Sequence, residues 1–144
     1  MKTYAVDAST SIKSILKDEE NYKYSHLLLS DYLSKKIILI APNLWIYEAA
    51  NALRSATLAK RISFNKSKYL LGLILKAKPI ILPIENLIIL SFLNSEKYQI
   101  SIYDSAYITL AIKSGVALIS SDNKLVKKIN NPEIAFNLKD YISP

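Results

Sequence analysis

The sequence predicts an α/β fold: a three-layer α/β/α sandwich around a central, mostly parallel sheet, in one domain over residues 1–144. Three observations predict it. Short, uniformly apolar runs recur at 3–6, 37–40, 80–82, 116–119 and 134–136, each too short for a helix and too uniform for a half-exposed strand. Stretches with helical spacing lie between them. No repeat, low-complexity tract or linker rich in Gly, Pro or Ser divides the chain, and 144 residues favour a single core.

Taken in order, the run TYAV is the first expected strand, buried on both faces like the others. Two helices should follow. Residues 9–16 place Ile12, Ile15 and Leu16 on one side, and residues 24–33 do the same with Leu28, Leu29, Tyr32 and Leu33. After the second strand, Pro42 suits the first turn of a helix running to about Lys60, its apolar surface continued by Leu53, Ala56 and Leu58. Residues 63–76 and 85–97 are amphipathic helices on either side of the third strand, 80–82. A helix from about Ile102 ends at Lys113-Ser114-Gly115, where a basic last turn and a following glycine form a stop signal. The resulting order is β-α-α-β-α-α-β-α-α-β-α-β. In parallel sheets of this kind function collects at the carboxyl ends of the strands.

Scarce residues exclude more than abundant ones. With no Cys there is no disulfide, no thiolate nucleophile and no thiolate-bound metal. Gly72 and Gly115 are the only glycines, too few for a G-x-G-x-x-G or Walker A phosphate cradle. His26 is the only histidine, so a multi-histidine zinc site is excluded; it reads as a helix-surface or partly buried residue. Chemistry is left to carboxylates, hydroxyls, amides and lysines. The net charge of +7 favours an anionic partner such as nucleic acid, although solubility alone also accounts for it. The longest apolar stretch, 80–93, is broken by Pro83, Glu85 and Asn86 and falls short of a membrane span. The run in MKTYAVDAS is too short for a signal peptide, so the cytoplasm is the expected location.

Four carboxylates stand apart in apolar surroundings. Asp7 follows the first strand directly, and Asp122 follows the fourth after two serines. Glu48 is the only charged residue between Lys36 and Arg54, and Asp104 the only one between Lys97 and Lys113. Asp31 and Glu85 are isolated too, but read as the wet face of a helix and a first-turn acid. Taken singly, Asp7, Asp104 and Asp122 serve equally well as helix caps or first-turn acids. Glu48, inside a helix, has no such role, and a buried unpaired carboxylate is costly. Together at one sheet edge the four would repel unless a divalent cation neutralised them, and an all-oxygen donor set selects Mg²⁺, or Mn²⁺ in its place.

The segments YAVDASTSIK, APNLWIYEAANALR and YDSAYITLAIKSGVALISSDNKL resemble, in order and spacing, the PIN domain family, most closely the compact toxins of type II toxin–antitoxin pairs. The resemblance spans nearly the whole chain. It implies a metal site at Asp7, Glu48, Asp104 and Asp122, supported by the hydroxyls of Ser9 and Ser120 and the amide of Asn51. Ser120 stands where Thr is commoner. It further implies a Mg²⁺-dependent endoribonuclease, a cognate antitoxin and a homodimer. Outside that resemblance, Ser9 equally starts a helix and Asn51 shares a helix face with Glu48. Lys124, Lys127 and Lys128 lie beyond Asp122, where they can hold phosphates or form a solvated charge run. The ten Tyr are chiefly packing residues, with base stacking a further use. A solitary RNA-processing nuclease and a non-catalytic RNA-binding or interaction module of the same fold are the alternatives.

Overall fold

The structure, a computed structural model, describes residues 1–144. Five strands form one all-parallel sheet in the order β3-β2-β1-β4-β5. They are β1 (Lys2–Val6), β2 (Ile37–Pro42), β3 (Ile80–Leu82), β4 (Leu118–Ser120) and β5 (Ala135–Asn137). The helices are α1 (Ala8–Ile12), α2 (Tyr22–Leu33), α3 (Leu44–Leu58), α4 (Phe64–Lys76), α5 (Ile88–Tyr98), α6 (Ile102–Ser114) and α7 (Asn123–Ile129). The strands and helices follow the expected order, with short 3-10 turns added at Glu85–Leu87 and Leu138–Asp140. No helix is long and apolar enough to cross a membrane.

The period of two along the strands divides the core. Ala5, Ile40 and Leu118 face a cluster with Trp45, Leu53, Ile74, Ile108 and Leu125 from α3, α4, α6 and α7. Their neighbours Val6, Leu39 and Ile119 face the other side, where Leu28 of α2 and the C-terminal Leu138 and Tyr141 cover the sheet. Helices therefore cover both faces, as a parallel sheet requires.

Local signals set several boundaries. Ser63 and Ser101 cap α4 and α6 by accepting from the Lys66 and Asp104 amides. Gly115, at φ 64°, ends α6 in the left-handed conformation expected of it. Pro42 closes β2 rather than opening a helix, because strand pairing with Leu82 continues to it and its missing N–H costs little at the end of a ladder. Strand β3 is not buried on both faces: it is an edge strand, and Ile80 is half exposed. Helix α2 also departs from its apolar stripe, burying Ser25, Leu28 and Asp31 while Leu33 faces solvent. Asp31 is thus no wet-face residue; it is buried on Tyr141 and Lys36.

Candidate functional site

The connection after β1 leads toward β2 and β3, whereas β4 returns to the opposite side of β1. Between β1 and β4 the strand order switches direction, and a crevice opens there at the carboxyl ends. Asp7 leaves β1 and Asp122 leaves the β4 end at this crevice, while α3 and α6 bring Glu48 and Asp104 to it. All four carboxylates line one open cavity of about 330 Å³, together with Ser9, Asn51 and Tyr107.

Each acid is held differently. Asp7 caps α1: its Oδ1 accepts from the Thr10 amide at 2.7 Å and the Ser9 hydroxyl at 3.0 Å, and its Oδ2 accepts from Ser120 Oγ at 2.5 Å. Ser120 Oγ also accepts from the Asp122 amide at 3.0 Å, so one buried hydroxyl ties the ends of two strands together. Asp122 caps α7 through Oδ1, which accepts from the amides of Lys124 and Leu125. Asp7 and Asp122 thus each cap a helix and line the cavity at the same time. Asp104 is no cap; it stands in the first turn of α6, whose cap is Ser101.

Glu48 lies mid-helix, and its Oε2 accepts from the buried Tyr107 hydroxyl. Burial raises its pKa above the ordinary range, the Tyr107 hydrogen bond opposes that, and the charges of Asp7 and Asp104 add to it. Asp104 is also raised, by burial and by the charges of Asp122 and Asp7, against the Ser101 hydroxyl and Lys128. The same burial and the Glu48 carboxylate push the Tyr107 hydroxyl far up, so it stays a donor at neutral pH.

The four carboxylates share a cavity but do not form a closed shell: no three acid or histidine side chains are gathered tightly enough to hold a metal ion as they stand. The chemistry of the donors nevertheless fits a hard divalent cation, being all oxygen with no nitrogen or sulfur in the cavity acids. Glu48 Oε1 and Asp122 Oδ2 accept no hydrogen bond, which leaves them open to a ligand.

The supporting residues named from sequence are all present. Ser9 and Ser120 donate to Asp7, and Asn51 lines the cavity. Lys128 reaches the Gln99 carbonyl at 2.6 Å, and Lys124 and Lys127 are exposed on α7. His26 stacks on Tyr22 away from the cavity. Tyr107 was missed among the ten tyrosines; its signal was its place three residues after Asp104, one turn along the same helix face.

No family model matches the sequence, and no curated protein matches it. Among solved structures, the crystal structure of PAE2754 from Pyrobaculum aerophilum is similar with a TM-score of 0.70 at 21% identity, over 96% of this chain and 85% of that chain. That likeness shows the fold, an α/β/α sandwich with a parallel sheet, and at this identity it shows the fold alone.

Proposed function

We propose that this chain is a metal-dependent endoribonuclease of the PIN type, with Asp7, Glu48, Asp104 and Asp122 as its acidic site. The observation that carries the proposal is the meeting of four carboxylates from four separate elements in one cavity at the switch point of the sheet. A cation such as Mg²⁺ or Mn²⁺, held by these acids, supplies a lowered pKa for a bound water and stabilises charge developing on a phosphoryl group.

The chain's own residues do the rest. Ser9, Ser120 and the Thr10 amide fix Asp7 in one orientation before any ligand arrives. Tyr107 holds Glu48 Oε2 and leaves Oε1 without a hydrogen-bond partner, free to take the proton of a water that attacks phosphorus. Burial and neighbouring charge raise the Glu48 pKa, which makes it the stronger base. Water adds to phosphorus as the bond to the 3′-oxygen breaks, and the departing oxygen takes a proton from solvent, leaving a 5′-phosphate and a 3′-hydroxyl. In this reading Lys124 and Lys127, exposed on α7 just beyond Asp122, meet the phosphate backbone. Biologically, the resemblance supports a toxin of a type II pair, silenced by an antitoxin segment entering the same cavity.

The test is incubation of the purified chain with defined RNAs in Mg²⁺, Mn²⁺ or EDTA, with the cleaved ends mapped. Cleavage with metal, its loss in EDTA, and a loss of at least ~100-fold in Asp7→Asn are expected. RNA binding that ignores EDTA, with no cleavage, turns the assignment toward a non-catalytic interaction module.

A further inference from the structure

A second cavity, of about 450 Å³, lies beside the acidic one and is lined from the same two helices. On α3, Leu44 lines the second cavity and Glu48, four residues on, lines the first. On α6, Tyr103 and Ala106 line the second, and their neighbours Asp104 and Tyr107 line the first. About one helical turn, roughly 5.4 Å, therefore separates the two sets of lining residues. A nucleotide whose phosphate meets the acids has its own or its neighbour's base within reach of the second cavity.

The lining is apolar except at four residues. Ser91 of α5 is 1% exposed, and its Oγ is the one buried side-chain polar atom of the chain with no hydrogen-bond partner. A buried hydroxyl without a partner is costly, and the cavity is the open space beside it. At the exposed rim, Asn43 Nδ2 donates to Glu85 Oε1 at 2.7 Å, which leaves Glu85 Oε2 and Asn43 Oδ1 as free acceptors. Tyr103 completes the wall with a ring that is 64% exposed.

We propose that this cavity is a base-binding subsite, in which the base of a nucleotide flanking the scissile phosphate stacks on Tyr103. An amino group of the base donates to Glu85 at the rim, and a ring nitrogen or carbonyl of the base accepts from Ser91 Oγ. The inference rests on the nuclease reading above and deepens it: cleavage becomes selective for an unpaired base that carries an amino group, adenine, cytosine or guanine over uracil.

Three observations select a base over other occupants. No Lys, Arg or His lines the cavity and a carboxylate stands at its rim, so a phosphate or another anion is disfavoured there. The orphan hydroxyl inside and the free acceptors outside suit a flat ring with polar edges, which a pure hydrocarbon does not have. The volume falls in the range of pockets that take small molecules, and an exposed aromatic wall beside a cleavage site is what a splayed base stacks on.

The test uses the full-length chain and RNA oligonucleotides that differ only at the nucleotides flanking the mapped cleavage site. At one flanking position, uracil is expected to lower kcat/KM roughly tenfold against the other three bases. Tyr103→Ala is expected to raise KM roughly 5- to 100-fold with kcat little changed, the effect of one lost stacked base. Glu85→Ala should bring the four bases level, and Ser91→Ala should raise KM while leaving Tm unchanged or higher, since it removes an unpaired hydroxyl. Phe64→Ala, which removes an equally exposed ring on α4, should change neither KM nor base preference.

A second measurement needs no cleavage. Adenosine, cytidine and guanosine added in EDTA are expected to shift the backbone amide resonances of Glu85, Ser91 and Tyr103, with uridine weaker. An active chain indifferent to the flanking bases and to Tyr103→Ala overturns the subsite and leaves the nuclease reading standing. A chain that cleaves no RNA while nucleosides still shift these amides overturns the nuclease reading and leaves a base-binding cavity. Shifts caused by benzene and by no nucleoside overturn the subsite and assign the cavity to an apolar small molecule.

Discussion

Two carboxylates on opposite faces of the sheet, Asp31 buried and Glu48 half-buried, have neighbours that differ in sign. Asp31, on the α2 side, receives the Tyr141 hydroxyl at 2.8 Å and the Lys36 ammonium at 3.0 Å. Burial pushes its pKa up, but hydrogen bonds from Ser143, Lys36 and Tyr141 outweigh that and hold it below the usual range. Glu48, on the α3 side, also receives a tyrosine hydroxyl, yet its charged neighbours are acids and its pKa rises. A buried acid answered by a cation is complete within the chain. One answered by other acids is incomplete, and that contrast separates a clasp from a site.

The comparison can be broken most sharply at Asp31. Asp31→Ala removes a charged acceptor from its buried donors and is expected to cost about 2–3 kcal/mol, lowering Tm by roughly 5–10 °C in a thermal melt. The sign with pH follows from the depressed pKa. Asp31 contributes stability above the ordinary carboxylate range, and that contribution is lost as pH falls through its lowered value, so the gap between wild type and variant should close in acid.

Glu48 should behave in the opposite way. Its folded pKa is raised, so its ionisation costs stability as pH rises through that value, while below the ordinary range the group is neutral in both states. In EDTA, Glu48→Gln is expected to stabilise the chain at neutral pH, by under about 1 kcal/mol because the cavity is open to solvent. That advantage should vanish in acid, and added Mn²⁺ should stabilise the wild type more than the variant. A destabilised Glu48→Gln at pH 7 in EDTA would erase the distinction between the two sites.

The smallest effects compare the two tyrosines. Tyr141→Phe and Tyr107→Phe each delete one hydroxyl donating to a carboxylate, with costs of about 1–2 and 1 kcal/mol or less. In nuclease assays Tyr107→Phe should lower the rate severalfold and move the basic side of the pH profile, whereas Tyr141→Phe should leave that profile in place.

Much of this arrangement was legible because local rules govern it. Asp7 directly follows an apolar run, so the sheet delivers it to the carboxyl edge whatever else the chain does. Gly115 and Ser63 announced a stop and a start by their own backbone chemistry. Asp31 and Tyr107 were opaque for a common reason: their partners lie 110 and 59 positions away, beyond any period or motif. Helix α5 misled differently. Its apolar stripe was visible, but a stripe does not state which side the rest of the molecule occupies, and here α6 meets the polar side through Thr109 and Ser105.

Asp7 and Asp122 each serve a helix end as well as the cavity, and asparagine caps a helix about as well as aspartate. A single exchange of oxygen for an amide nitrogen at either position therefore removes negative charge from the cavity without removing the cap. Loss of chemistry and loss of structure become separable steps in the history of such a chain. If the proposed cleavage is its reaction, a lineage can shed it at one codon and keep a folded body, with its surfaces intact, for selection to use in some other way.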